Sequence, residues 1–257
     1  MSKAWLNTQI LRKVPQVGLI FWAVKLLTTA LGESTSDYLV NTFNPYLVVV
    51  AGFIGFAFAL MCQLRARRYI PALYWATVAM VAVFGTMAAD VVHVALGVPY
   101  VVSTAVFAGA VLVVFMWWKK SEHTLSIHSI TTPRRELFYW ATVSATFALG
   151  TAAGDWLAYS MHLGFLVAGI VFAILFALPA LGYGLLRLNS IAMFWAAYIL
   201  TRPLGASFAD WTGKVPAVGG LGWGDGPVAA VLAVLIIIGI VYVTKTHGDV
   251  DTGAGAR

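Results

Sequence analysis

Apolar residues dominate eight stretches of the chain, near 15–40, 45–63, 71–96, 100–118, 137–161, 164–184, 190–211 and 226–244. Each matches the roughly 20 residues that an α-helix needs to cross the hydrocarbon core of a bilayer. What remains is a polar start over 1–14, one loop over 119–136 and a short tail. Polar positions inside the apolar stretches follow a rule. Trp22, Trp75, Trp140 and Trp195 are each followed by an alanine: Ala23, Ala76, Ala141 and Ala196. Ten residues after each tryptophan comes a glycine (Gly32, Gly85, Gly150, Gly205), and five after each glycine an aspartate (Asp37, Asp90, Asp155, Asp210). The pattern W-A-x8-G-x4-D thus recurs without gaps, at offsets of 53, 65 and 55 residues. Carboxylates in membrane-spanning segments are costly, hence rare and usually functional.

A fixed period of this length marks a repeat architecture. Each repeat reads as a motif helix, a short turn and an apolar helix, with boundaries near 14–68, 69–120, 132–187 and 188–245. The turns, Asn41 to Pro45, His93 to Pro99, Tyr159 to Gly164 and the glycine-rich Gly213 to Gly226, share one side, and the basic joins share the other. Two helices per repeat give every repeat the same orientation, so the repeats are parallel about an axis along the membrane normal. The expected fold is all-α membrane: one polytopic domain of eight transmembrane helices, pseudo-symmetric about that normal. The motif helices should form the inner set, and the apolar helices, with close-packing glycines such as Gly52 and Gly55, a lipid-facing outer set. At ~1.5 Å per residue each aspartate lies about 22 Å beyond its tryptophan, in the outer half of the membrane.

Composition supports this and excludes much else. The 257 residues are 61% hydrophobic and only 10% charged, where soluble domains carry about 25% charged residues. No stretch is left for a soluble catalytic domain. The net charge of +6 does not point to nucleic acid, because its distribution is a topology signal: 13 of the 16 Lys and Arg fall on the side of the joins. Lys214 falls on the other side, while Lys25 and Arg202 lie inside spans. By the positive-inside rule both termini are expected in the cytoplasm. The first span lacks the cleavage pattern of a signal peptide and is expected to be retained. A single cysteine, Cys62, rules out an internal disulfide and any multi-cysteine metal site.

Candidate chemistry lies on one face of the motif helices. Lys25, Thr29, Glu33, Asp37 and Asn41 follow at i,i+4 steps, as do Tyr198, Arg202, Ala206, Asp210 and Lys214. The middle repeats are blander: Val78, Ala82, Thr86, Asp90, and Val143, Phe147, Thr151, Asp155, Tyr159. Glu33, Asp37, Asp90, Asp155 and Asp210, with the neutral ligands Thr86 and Thr151, are the expected ion- or substrate-binding residues. Glu33 and Asp37 form the expected metal or proton site, since oxygen-rich sites suit hard cations. Lys25 and Arg202 are expected counter-ions, each touching an acid or backbone carbonyls. A structural reading stands beside this one, in which the aspartates cap turns or pair with the cations. The glycines serve close packing or a helix break, with Pro203 making a kink or local unwinding most expected in the fourth repeat. The tryptophans serve an interfacial belt or shared packing. His93 and His162 either extend a proton or metal path or end a helix in solvent, and His123 and His128 are expected to be solvated.

The motifs Phe21-Trp22-Ala23, Tyr74-Trp75-Ala76, Tyr139-Trp140-Ala141 and Phe194-Trp195-Ala196, with their downstream Gly and Asp, resemble a bacterial family of uncharacterised membrane proteins. That family is built from four tandem repeats, each with two transmembrane helices and a tryptophan. The resemblance spans roughly 14 to 244 and implies this fold and a location in the inner (plasma) membrane of a bacterium, but no activity.

Function must therefore come from the residues. The leading expectation is a secondary transporter of a small cation, a divalent metal exported against protons through the intramembrane carboxylates. A cation channel with an Asp ring is the first alternative, and an anion or organic-acid carrier using Lys25 and Arg202 the second. An enzyme ranks last, and no cofactor is expected: no His pair at helical spacing, Ser/His/Asp set or phosphate loop is present. The expected partners are a small cation or proton and the lipid bilayer, with room for an oligomer. Topology reporters fused within 41–45 and 213–226 should read periplasmic and those within 119–135 cytoplasmic. A cytoplasmic signal from 213–226 would overturn the repeat arrangement.

Overall fold

The computed structural model describes residues 13–246. Its eight long helices are α1 (Leu19–Thr42), α2 (Pro45–Arg65), α3 (Pro71–Asp90), α4 (Tyr100–Glu122), α5 (Pro133–Asp155), α6 (Gly164–Gly184), α7 (Ser190–Gly213) and α8 (Asp225–Thr246). No strand occurs among the described residues. Lys3, Arg12 and Arg257, which enter the charge count, lie outside them, as do both chain ends. Five helices, α2, α3 with its extension to Ala95, α4, α6 and α8, are long and apolar enough to cross a membrane. The other three, α1, α5 and α7, are motif helices.

Local sequence sets the starts. Pro opens α2, α3 and α5, where its missing N–H costs nothing. The side chains of Asn44, Thr132 and Asn189 accept from the first free N–H groups of α2, α5 and α7. The apolar stretches understate the helices on the basic side. There α4 runs on to Glu122 and α5 begins at Pro133, and Glu122 ties the two ends by pairing with Arg134 (3.4 Å) and Arg135 (2.9 Å).

Two local features depart from expectation. Helices α3 and α5 widen into a π-turn immediately after their motif aspartates, at Val91–Ala95 and Trp156–Ser160. In contrast, α7 continues as one helix through Pro203, where unwinding was expected.

The motif helices α1, α3, α5 and α7 pack side by side in a closed ring, with α7 returning to α1. Each apolar helix lies mainly on the motif helix of the next repeat: α2 on α3, α4 on α5, α6 on α7, and α8 on α1. The same cyclic step governs side chains. Phe21 packs against Trp75 (5.6 Å between ring centroids), Tyr74 against Trp140 (5.6 Å), Tyr139 against Trp195 (6.1 Å) and Phe194 against Trp22 (5.7 Å). Trp75, Trp140 and Trp195 are buried in this aromatic layer, so they serve packing rather than a belt. The layer fills the N-terminal half of the ring.

The glycines obey the step too. A Cβ on Gly32 would strike Ala82, on Gly85 Phe147, on Gly150 Arg202, and on Gly205 Thr29. All four neighbours lie eight residues before the next repeat's aspartate. The motif glycine is therefore the notch that lets adjacent motif helices touch. In the outer layer, Gly52 and Gly55 likewise receive Met87 and Met80 of α3. Apolar side chains such as Tyr46, Phe53, Ile54 and Phe58 of α2 point outward.

Gly85 offers a clean test, because an added Cβ would sit 2.8 Å from the Phe147 Cβ, whereas Gly109 on α4 has open space around it. Gly85→Ala should cost about 1–3 kcal/mol, the usual penalty for overpacking, while Gly109→Ala should leave thermal stability in detergent unchanged or raise it. Equal melting temperatures for the two variants would refute the notch.

Candidate functional site

Above the aromatic layer, the C-terminal halves of the motif helices bring together a cluster of polar side chains with Arg202 at its base. Arg202 projects from α7 and is fully buried. One guanidinium nitrogen (Nη2) donates to Glu33 Oε2 of α1 at 2.6 Å, to Thr151 Oγ1 of α5 at 2.8 Å, and to Thr86 Oγ1 of α3. The other (Nη1) donates to the Thr29 carbonyl at 3.1 Å. One side chain thus binds all four motif helices. Glu33, Thr86 and Thr151 occupy equivalent positions, four residues before the aspartates. Ala206, at that position in the fourth repeat, leaves the room.

The second cation, Lys25, does not behave as expected. Its ammonium reaches no carboxylate and has no hydrogen-bond partner among the described residues. It rests on the faces of Phe147 (4.1 Å) and Tyr198 (4.3 Å). Geometry explains this: Glu33 lies eight residues, about 12 Å, further along the same helix, and Arg202 already occupies it. Ring faces are the remaining source of negative potential, and desolvated cation–π contacts are worth about 2 kcal/mol.

One turn above Glu33, Thr86 and Thr151 lie the aspartates. Carboxylate oxygens of Glu33, Asp37 and Asp210 lie within 4.8 Å of one another. Asp90 and Asp155 fall outside that group, yet both interact electrostatically with Glu33, Asp37 and Arg202. Asp210 is buried, and Asp37, Asp90 and Asp155 are half-buried. Thr86 and Thr151 serve the guanidinium of Arg202 in this structure.

Beside this cluster lie residues that the sequence reading left out of the site. Lys214, just past α7, pairs with Asp37 and lies 3.9 Å from Asp210 and 3.7 Å from Asp225, the first residue of α8. Burial disfavours its ammonium, but the carboxylates of Asp37, Asp210 and Asp225 outweigh burial and hold its pKa above the usual lysine value. A group raised in this way contributes fully below its ordinary pKa of about 10.4 and loses that contribution only as pH climbs through the raised value. The tie is therefore intact across neutral pH. Its signal in the sequence was the i,i+4 step from Asp210 to Lys214.

A further polar tie crosses the opposite end of the bundle. Buried Glu136, at the start of α5, pairs with Lys13 at 2.5 Å and accepts from Gln63 of α2 at 3.2 Å. Of the histidines, His93 is buried against Tyr100 with ring centroids 4.1 Å apart, so it is not a solvated helix end.

Fold and site define an all-helical, four-repeat membrane protein with a cluster of charged side chains inside its inner ring. The chain belongs to the family described as Repeat of Unknown Function (DUF347), which matches it four times in tandem, over residues 20–69, 73–124, 138–186 and 193–249. No curated protein and no solved structure matches the chain.

Arg202→Met would strand Glu33 in the bundle interior. The cost should be about 3–5 kcal/mol, as for other buried pairs broken on one side, and adding Glu33→Gln should recover part of it. Unfolding of Arg202→Met at the wild-type denaturant concentration would show that this pair does not hold the ring together.

Proposed function

We propose that this protein is a secondary transporter of a small cation, with a divalent metal exchanged for protons. The reading rests on one observation: three carboxylates, Glu33, Asp37 and Asp210, meet within 4.8 Å inside a ring of helices. Hard oxygen donors at that spacing suit a divalent cation. Without one, carboxylates so close relieve their repulsion by sharing protons or by pairing with fixed cations. A group that holds either a proton or a metal is what exchange requires. Asp90 and Asp155 line the route to the cluster and add to its negative field.

Two observations favour a carrier over the alternatives. An open channel along the axis would have to pass the guanidinium of Arg202 and the aromatic layer of Phe21, Tyr74, Tyr139 and Phe194. An anion carrier finds less support: the terminal nitrogens of Arg202 already serve Glu33, Thr29, Thr86 and Thr151, which leaves only its Nε unpartnered, and the Lys25 ammonium, although without a hydrogen-bond partner, is covered by the ring faces of Phe147 and Tyr198. The charge asymmetry of the joins supports an orientation with both termini inside, and the proposed location is the bacterial plasma membrane. In that orientation the aspartates lie toward the outer side, and the aromatic layer closes the cytoplasmic side.

In proteoliposomes with an imposed Mn2+ gradient, the wild type should move protons against the metal, and Glu33→Gln and Asp37→Asn should each abolish that movement while remaining folded. Wild-type exchange by both variants, or transport indifferent to pH, would make the carboxylates structural and end the carrier reading.

A further inference from the structure

We propose that Lys214 is a tethered stand-in for the transported cation, carried into and out of the carboxylate cluster by the loop that follows it. The inference rests on the cation-carrier reading above and deepens it. The Lys214 ammonium pairs with Asp37 and lies 3.9 Å from Asp210, two of the three carboxylates of the cluster. It therefore stands among the oxygens that a divalent cation would use. At such separations the repulsion between an ammonium and a metal ion is strong enough that the two exclude each other.

The loop supplies the second observation. It is the longest of the four turns and rolls back along the end of α7. Leu221 N donates to Trp211 O (2.7 Å), Trp223 N to Thr212 O (3.1 Å) and Gly224 N to Gly213 O (3.0 Å). Gly222 N donates to the carbonyl of Lys214 itself at 2.8 Å, so displacement of the loop displaces Lys214. Gly219, Gly222 and Gly224 hold left-handed φ values of 92°, 79° and 85° that other residues rarely adopt. Asp225, next in sequence, holds the ammonium from the far side at 3.7 Å. The equivalent positions in the other repeats hold Asn41, Val94 and Tyr159, so the tethered charge occurs once in the ring.

The charge arithmetic explains why a carrier needs such a group. With Arg202 on Glu33 and Lys214 beside Asp37 and Asp210, two cations offset two of the three negative charges of the empty cluster. An arriving cation replaces Lys214, which withdraws with its loop, and on release Lys214 returns. The three carboxylates therefore never face one another with Arg202 as their sole cation.

The test measures Mn2+ binding to the purified full-length protein in detergent, by the loss of the free-ion electron paramagnetic resonance signal. Lys214→Gln should bind Mn2+ at least about tenfold tighter than wild type, because one repelling charge is removed at close range. Lys214→Arg should stay near wild type, and Glu33→Gln should weaken binding. Lys214→Met, which removes the same charge and keeps the aliphatic stem, should tighten binding to a similar extent and serves if Lys214→Gln does not fold. Wild-type affinity in both Lys214→Gln and Lys214→Met, with Glu33→Gln impaired, overturns the stand-in role and leaves the cation site. No Mn2+ binding by any folded variant overturns both.

Discussion

A single guanidinium holds the inner ring. Arg202 comes from α7 and reaches α1 through Glu33 and the Thr29 carbonyl, α3 through Thr86, and α5 through Thr151. A buried cation with so many partners has one placement, and that placement fixes the rotation of the four helices about their axes. The rest follows from it. The motif glycines set how near the helices come, the aromatic layer fills the space below, and the aspartates are left facing one another above.

The ring also shows how tandem repeats diverge without losing their geometry. At the level of Arg202 the four repeats carry Thr29, Ala82, Phe147 and Arg202; one turn higher they carry Glu33, Thr86, Thr151 and Ala206. One large cation fits because Ala82 and Ala206 are small, Thr86, Thr151 and Glu33 accept its hydrogen bonds, and the Phe147 ring centroid lies 5.6 Å from its guanidinium. The single glutamate is matched by the single alanine, so charge and volume balance around the ring rather than within a repeat. Lys25 is the exception that tests the rule. With no acid at its level, it is held by the rings of Phe147 and Tyr198.

Much of this was legible in the sequence. Helix number, pairing and parallel repetition follow from the apolar stretches and the W-A-x8-G-x4-D spacing, because bilayer thickness and a fixed motif leave few arrangements. The convergence of Glu33, Thr86 and Thr151 was legible as equivalence of position. Its target was not, since nothing in the spacing says that Arg202 rather than Lys25 reaches Glu33. That choice depends on the rotation and offset of neighbouring helices. Lys214 was legible as an i,i+4 step from Asp210, but its reach to Asp37 and Asp225 was not, for a related reason: a glycine-rich turn gives no periodicity from which to infer that it folds back over the aspartates. The π-turns after Asp90 and Asp155 left no signal either, as Val91–Ala95 and Trp156–Ser160 carry neither Pro nor Gly.

The forward step of the outer helices bears on how the chain is made. Because α2, α4 and α6 each pack on the helix that follows them, every repeat can dock as it leaves the ribosome, leaning on its successor. Helix α1 alone waits: its outer partner is α8, the last to be synthesised. Until α8 arrives, the flank of the helix that carries Lys25, Glu33 and Asp37 borders lipid. A chaperone or insertase that shelters this flank would act late in biogenesis, and joining the ends while cutting between repeats would move the vulnerable seam without altering the finished ring.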